Sequence, residues 1–118
     1  MRTSELLRWQ WEGYPRYHRS RLNLLLHIVV VPLFLVGNVA LLVAVVQRSW
    51  VVGIVAVVAM VFSVALQDRG HRQEPVSPEP FTSPVNAMSR IFFEQWVTFP
   101  RFVLSGGWLR ALRQQSAP

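Results

Sequence analysis

Two apolar runs separated by three residues constrain this chain more than anything else in it. Leu24 to Val46 and Trp50 to Leu66 contain no Asp, Glu, Lys or Arg. As a helix rising about 1.5 Å per residue, the first run crosses a hydrocarbon layer of roughly 30 Å. The second is shorter, reaches the lower end of the spanning range, and gains a residue if Gln67 is included. A soluble bundle is a poor alternative, because 118 residues hold too little amphipathic sequence to cover two helices that are apolar on every side. A cleaved signal peptide is also a poor fit. About twenty polar and aromatic residues precede the first run, and no small-residue cleavage pattern follows it. The expected fold class is therefore all-α: an integral membrane protein with a two-span transmembrane helical hairpin and interfacial amphipathic helices.

The charges orient that hairpin. All basic residues are arginine, 12 in number against 6 acidic residues, and only Arg48 lies between the runs. Arg2, Arg8, Arg16, Arg19 and Arg21 precede the first run; Arg69, Arg72, Arg90, Arg101, Arg110 and Arg113 follow the second. The positive-inside rule then puts both termini in the cytoplasm and leaves a short external turn at Gln47 to Ser49. Arginines that flank spans without forming one dense run fit anionic lipid headgroups better than nucleic acid. With no cysteine, thiolate chemistry is excluded and metal ligands must be nitrogen or oxygen.

The three histidines sit where apolar and polar sequence meet. His27 lies just inside the first run, where an ionisable side chain marks a candidate functional site. His18 precedes that run and His71 follows the second, so a hairpin brings all three to one face. Three converging imidazoles suggest a metal, iron(II) or zinc. At about 100° per residue, Asn23 and His27 share a helix face, whereas His18 and His27 would point apart on a continuous helix. His18 joins the group only if the chain turns between them.

The flanking segments read as surface helices. Residues 1–13 form a short Trp-rich interfacial helix, ended by Gly13 and Pro15. Ser20 is the expected N-cap of the first span, and Pro32 is expected to kink it. Pro75, Pro78, Pro80 and Pro84 impose an extended loop. A third helix follows from Ser83, with Val85, Met88, Phe92, Trp96 and Phe99 on its apolar side and Asn86, Arg90 and Glu94 opposite. Arg90 and Glu94 read as a surface i,i+4 pair, Pro100 as an interruption, and Gly106-Gly107 as a hinge before a basic amphipathic turn from Trp108 to Arg113. Asn38, deep in the first span, reads as a helix-pairing hydrogen-bonder.

Two clusters carry a family resemblance: Tyr17-His18-x4-Asn23-x3-His27-x4-Pro32, within YHRSRLNLLLHIVVVP, and Gly70-His71-x2-Glu74 with its following prolines. They resemble the Mpo-like family of small membrane proteins, and FFEQWVTFPRFVLSGGWLRAL resembles a bacterial branch of it. The family's second motif commonly reads Gly-His-x3-Glu, one position longer than here, and some members carry a second His where this chain has Arg19. The resemblance implies a single Mpo-like domain over 1–118, divided into a cytoplasmic segment 1–23, spans 24–46 and 50–67, and a cytoplasmic loop with interfacial helices 68–118. It also implies an iron(II)-dependent dioxygenase acting on long-chain 2-hydroxy fatty acids at the bacterial inner membrane. His18, His27 and His71 are then the metal ligands, and Asn23, Glu74, Tyr17 and Glu79 the supporting residues or further ligands. Arg19, Arg21 or Arg72 would pair with the substrate carboxylate. Two other readings use the same residues: a non-enzymatic membrane interaction protein, and a bis-His haem protein for electron transfer. The sequence leaves room for a homo-oligomer in each case.

Overall fold

Between Arg21 and Gln47 only Pro32 opposes a helix, and helix α2 runs unbroken across that whole range. Pro32 removes a single backbone donor, the one that would serve Ile28 O. Arg48 then takes a left-handed conformation with φ of 54°. Its N–H bonds Val45 O at 3.2 Å and that of Ser49 bonds Ala44 O at 2.9 Å, a Schellman ending that reverses the chain in two residues. Ser49 Oγ caps the next helix by accepting from Val52 N at 3.3 Å, and α3 runs Trp50–His71. The turn falls where the break between apolar runs predicts it.

The computed structural model describes residues 2–116, all helix and connecting loop with no strand among them. Helices α2 and α3 pack along their length as an antiparallel pair. Close approach requires Gly37, where a Cβ would lie 2.7 Å from Met60 Cγ and 3.2 Å from Ala56 O. Both helices are long and apolar enough to cross a membrane. Only 28% and 17% of their most apolar windows are buried, so neither is the enclosed core helix of a soluble bundle.

The remaining helices gather at the end of the hairpin that carries His27 and His71. Helix α1 spans Thr3–Tyr17, so it passes through Gly13 and Pro15 and does not end at them. Two contacts favour that course. A Cβ on Gly13 would press to 3.2 Å from the Tyr17 ring, and Tyr14 is buried against Leu24, Val31, Phe99 and Phe102 in the core. The chain does turn between the two histidines: α1 ends at Tyr17, and residues 18–20 are non-helical before α2 begins. Ser20 holds the N-cap position of α2, but its hydroxyl makes no capping bond.

After the proline loop, α4 covers Pro84–Phe93, with Ser83 Oγ accepting from Asn86 N at 3.0 Å. Pro100 does not interrupt the helical run. Residues Glu94–Thr98 widen into a π-helical turn, with Phe99 N–H bonding Glu94 O, and α5 continues through Phe99–Leu104. Gly106, at φ of 84°, makes the bend to α6, Gly107–Ser116. The extra residue in the π turn rotates everything after it by about 100° around the axis. Val85, Met88 and Phe92, before the turn, are exposed, while Phe99, after it and expected on the same stripe, is buried. Glu94, expected on the exposed side, turns toward the hairpin and His27, and Arg90 lies against Trp9, Phe81 and the proline loop.

Candidate metal centre

Four side chains from four separate stretches of chain converge at this end: His18, His27, His71 and Glu94. One nitrogen or oxygen from each lies within 4.8 Å of all the others. The three imidazoles form a near-equilateral triangle with centroid separations of 4.8, 4.9 and 5.0 Å, each ring nearly perpendicular to its neighbours. Glu94 Oε2 lies 3.3 Å from His18 Nε2 and 3.6 Å from His27 Nε2. Ligand atoms about 2.1 Å from a common ion stand roughly 3.0–3.4 Å apart in octahedral or tetrahedral geometry; the Glu94 contacts are close to that range, and the widest separation, up to 4.8 Å, would have to contract around an ion.

The hydrogen bonds fix which nitrogens are available. His18 Nδ1 is 2.9 Å from Tyr14 O and His27 Nδ1 is 3.0 Å from Asn23 O. A carbonyl only accepts, so both Nδ1 atoms carry a proton, and in the neutral ring each Nε2 presents its lone pair to the cluster. His18 Nε2, His27 Nε2 and His71 Nδ1 are all buried with no hydrogen-bond partner. Neutral imidazole nitrogens gathered beside a carboxylate are a donor set that could hold a cation. Burial pushes the His18 pKa down, against the opposing pull of Glu94, and favours the neutral ligand form. Burial acts to raise the Glu94 pKa, but the nearness of His18 and His27 outweighs it and holds the carboxyl well below its ordinary value.

The surroundings hold these groups in place. Tyr14 OH donates to Glu94 Oε2 at 2.8 Å, and its ring stacks on His18 at 3.7 Å. Burial, then the Glu94 charge, keeps the Tyr14 phenol protonated by raising its pKa well above the ordinary value. Phe99 packs 5.7 Å from His27, and Phe102 meets Tyr14 edge-on at 4.9 Å, closing one side of the site to water. Next to Glu94 in the π turn, Gln95 pairs reciprocally with Gln67: Nε2 of each donates to Oε1 of the other, at 2.8 and 2.7 Å. These bonds tie the π turn to α3.

Asn23 and Glu74 form a supporting layer. Glu74 accepts from Arg19 N at 2.8 Å, from Ser20 N at 3.0 Å and from Asn23 Nδ2 at 2.7 Å. The carboxylate thus gathers the two backbone donors just before α2 and the Asn23 side chain from its first turn, and fixes the loop that presents His18. It stands outside the four-residue cluster. Gly70 leaves room for this layer, since a Cβ there would overlap Asn23 Oδ1. Glu79 is exposed and engages Arg90 through its backbone, while Tyr17 OH accepts from Arg16 at 2.6 Å. Asn38 does join elements, accepting from Trp96 Nε1 at 3.2 Å.

Beside His18, His71 and Glu94 lies a mostly apolar cavity of about 140 Å³, whose walls include Trp9, Tyr17, Phe81 and Arg90. Arg19, Arg21 and Arg72 do not line it. Arg72 pairs with Asp68 at 3.0 Å. Glu94 is the site residue that the sequence reading placed on the surface. The signal available was its position, a single carboxylate between Ile91-Phe92-Phe93 and Trp96-Val97, where an unpaired charge would be costly. No protein-family model, curated protein or solved structure matches this chain.

Proposed function

We propose that this is an integral membrane protein of the Mpo-like kind, an iron(II)-dependent dioxygenase that shortens long-chain 2-hydroxy fatty acids by one carbon. The observation that carries the metal reading is the set of three orphaned imidazole nitrogens around an ionised carboxylate. His18, His27, His71 and Glu94 would hold the ion. Iron(II) there supplies a redox centre for oxygen chemistry beside a substrate able to chelate through its hydroxyl and carboxylate oxygens. Tyr14 holds Glu94 in its ionised, inward position, and Phe99 and Phe102 keep water from one side. The uncovered apolar surfaces of α2 and α3 support insertion in a bilayer. The arginine asymmetry supports cytoplasmic termini and an inner-membrane location, with the site at the cytoplasmic interface. The substrate rests on the two sequence motifs and on the cavity at that interface.

Both competing readings fit the geometry less well. Axial histidines of a haem lie on opposite faces of a large flat plate, whereas here three rings converge within 5.0 Å. A helix-packing role gives no reason for three imidazoles and a carboxylate to gather within 4.8 Å of one another. The test begins with protein purified with its iron retained. About one iron per chain is expected, lost in His27→Ala, His71→Ala and Glu94→Ala variants that remain folded. Full retention in all of them would leave only the packing role. Incubation with 2-hydroxypalmitate and with palmitate, under air and under nitrogen, then tests the reaction. Oxygen-dependent loss of the hydroxy acid alone is expected; inactivity towards both acids in iron-loaded protein would remove the substrate assignment and leave the metal centre standing.

A further inference from the structure

The cavity beside the histidines is lined by one arginine, Arg90, and this residue is already held in place. Its Nη1 donates to Pro80 O at 3.1 Å and its Nη2 to Glu79 O at 2.8 Å. Its guanidinium carbon sits 4.9 Å from the centroid of the Trp9 ring and 4.5 Å from that of Phe81. Both hydrogen-bond acceptors are neutral carbonyls, so the charge is not cancelled by them, and three of the five guanidinium N–H donors are left over. Arg90 stands one helical turn before Glu94, and residues so spaced have Cβ atoms about 5–6 Å apart. Both line the same cavity. An anion in that space meets the guanidinium on one side and the candidate metal group on the other.

We propose that Arg90 is the residue that recognises the substrate carboxylate, a role that rests on the dioxygenase reading above. An apolar cavity of roughly 150 Å³ holds a benzene molecule, so one of about 140 Å³ takes the head of the acid, and the rest of the acyl chain lies outside. The carbonyls of the proline loop and the two aromatic rings keep the guanidinium ordered before substrate arrives, which lowers the entropy lost on binding. The proline loop thereby gains a purpose: it aims Arg90.

Zinc-loaded protein, in which redox turnover is silent, separates recognition from catalysis. Binding of 2-hydroxyoctanoate and of its methyl ester is measured by calorimetry in the parent and in Arg90→Gln, Arg90→Lys and Arg72→Gln, with zinc content measured on each sample. Arg90→Gln is expected to weaken the acid by about 10- to 100-fold, the size of a lost charge-assisted bond, and to leave the ester and the zinc content unchanged. Arg90→Lys should recover part of the loss, and Arg72→Gln should behave as the parent. Equal weakening of acid and ester would make Arg90 a structural residue and overturn the proposal. Unchanged acid binding in Arg90→Gln with full zinc would overturn it while sparing the metal centre. A parent chain that holds no zinc would overturn the metal reading and this proposal together.

Discussion

Replacing Glu74 by Gln separates a ligand from a scaffold. The carboxylate accepts from two backbone N–H groups and from Asn23 Nδ2, at 2.7 to 3.0 Å. An amide has one oxygen in place of two, so at least one donor loses its partner, and the others lose the charge that strengthened their bonds. Hydrogen bonds to charged groups contribute about 1.5–3 kcal/mol each. One lost and two weakened bonds put the destabilisation on the order of 2–4 kcal/mol. The same change loosens the loop that presents His18 and the Asn23 turn that holds His27 Nδ1. Disturbing such supporting partners costs about 10- to 100-fold in metal affinity. Denaturation in detergent and competition with a chelator of known affinity measure the two effects. Weaker binding at full stoichiometry is expected. Complete loss of metal from folded Glu74→Gln protein would make Glu74 a ligand and refute the scaffold role, and an unchanged variant would refute the support argument altogether.

Other outcomes follow from the packing. Gly70→Ala should displace Asn23, whose Oδ1 occupies the space a Cβ needs, and cost about 1–3 kcal/mol together with reduced metal affinity; chelator competition and unfolding would show both, and a neutral result would deny the close contact. Gln67→Leu or Gln95→Leu alone should each leave a buried amide unsatisfied and cost about 1–3 kcal/mol, whereas the double variant should recover much of that stability; strictly additive losses would contradict the reciprocal pair. For topology, a reporter inserted at Ser49 should behave as external and one at the C-terminus as cytoplasmic. The reverse sidedness would place the arginines on the wrong face.

The hairpin and its turn were legible because uncharged runs and their interruption are local properties of sequence. The convergence of the three histidines followed from that hairpin and from the angular argument that the chain must turn between His18 and His27. What escaped depends on contacts distant in sequence. Pro15 is tolerated inside α1 because Tyr14, its neighbour, is locked against residues near position 100. Glu74 could be placed near the site by its spacing from His71, but its task depends on which backbone donors lie opposite. The burial of Phe99 depends on the π turn, which breaks the regular period projected along a helix, and the inward turn of Glu94 on histidines distant in sequence.

The dispersal of the four site residues also bears on how the protein is made. Many metal motifs place two ligands one turn apart on a single helix, so an ion can be captured while the chain is still emerging. Here no two candidate ligands share a helix: His18 follows α1, His27 lies on α2, His71 ends α3, and Glu94 opens the π turn. A growing chain carries all three histidines long before Glu94 exists, and they meet only when the hairpin has closed. Capture of an ion by all four would therefore come only after these elements have met. An ion bound there fastens the N-terminal helix to the C-terminal run, making metal content a report on whether the protein has finished folding.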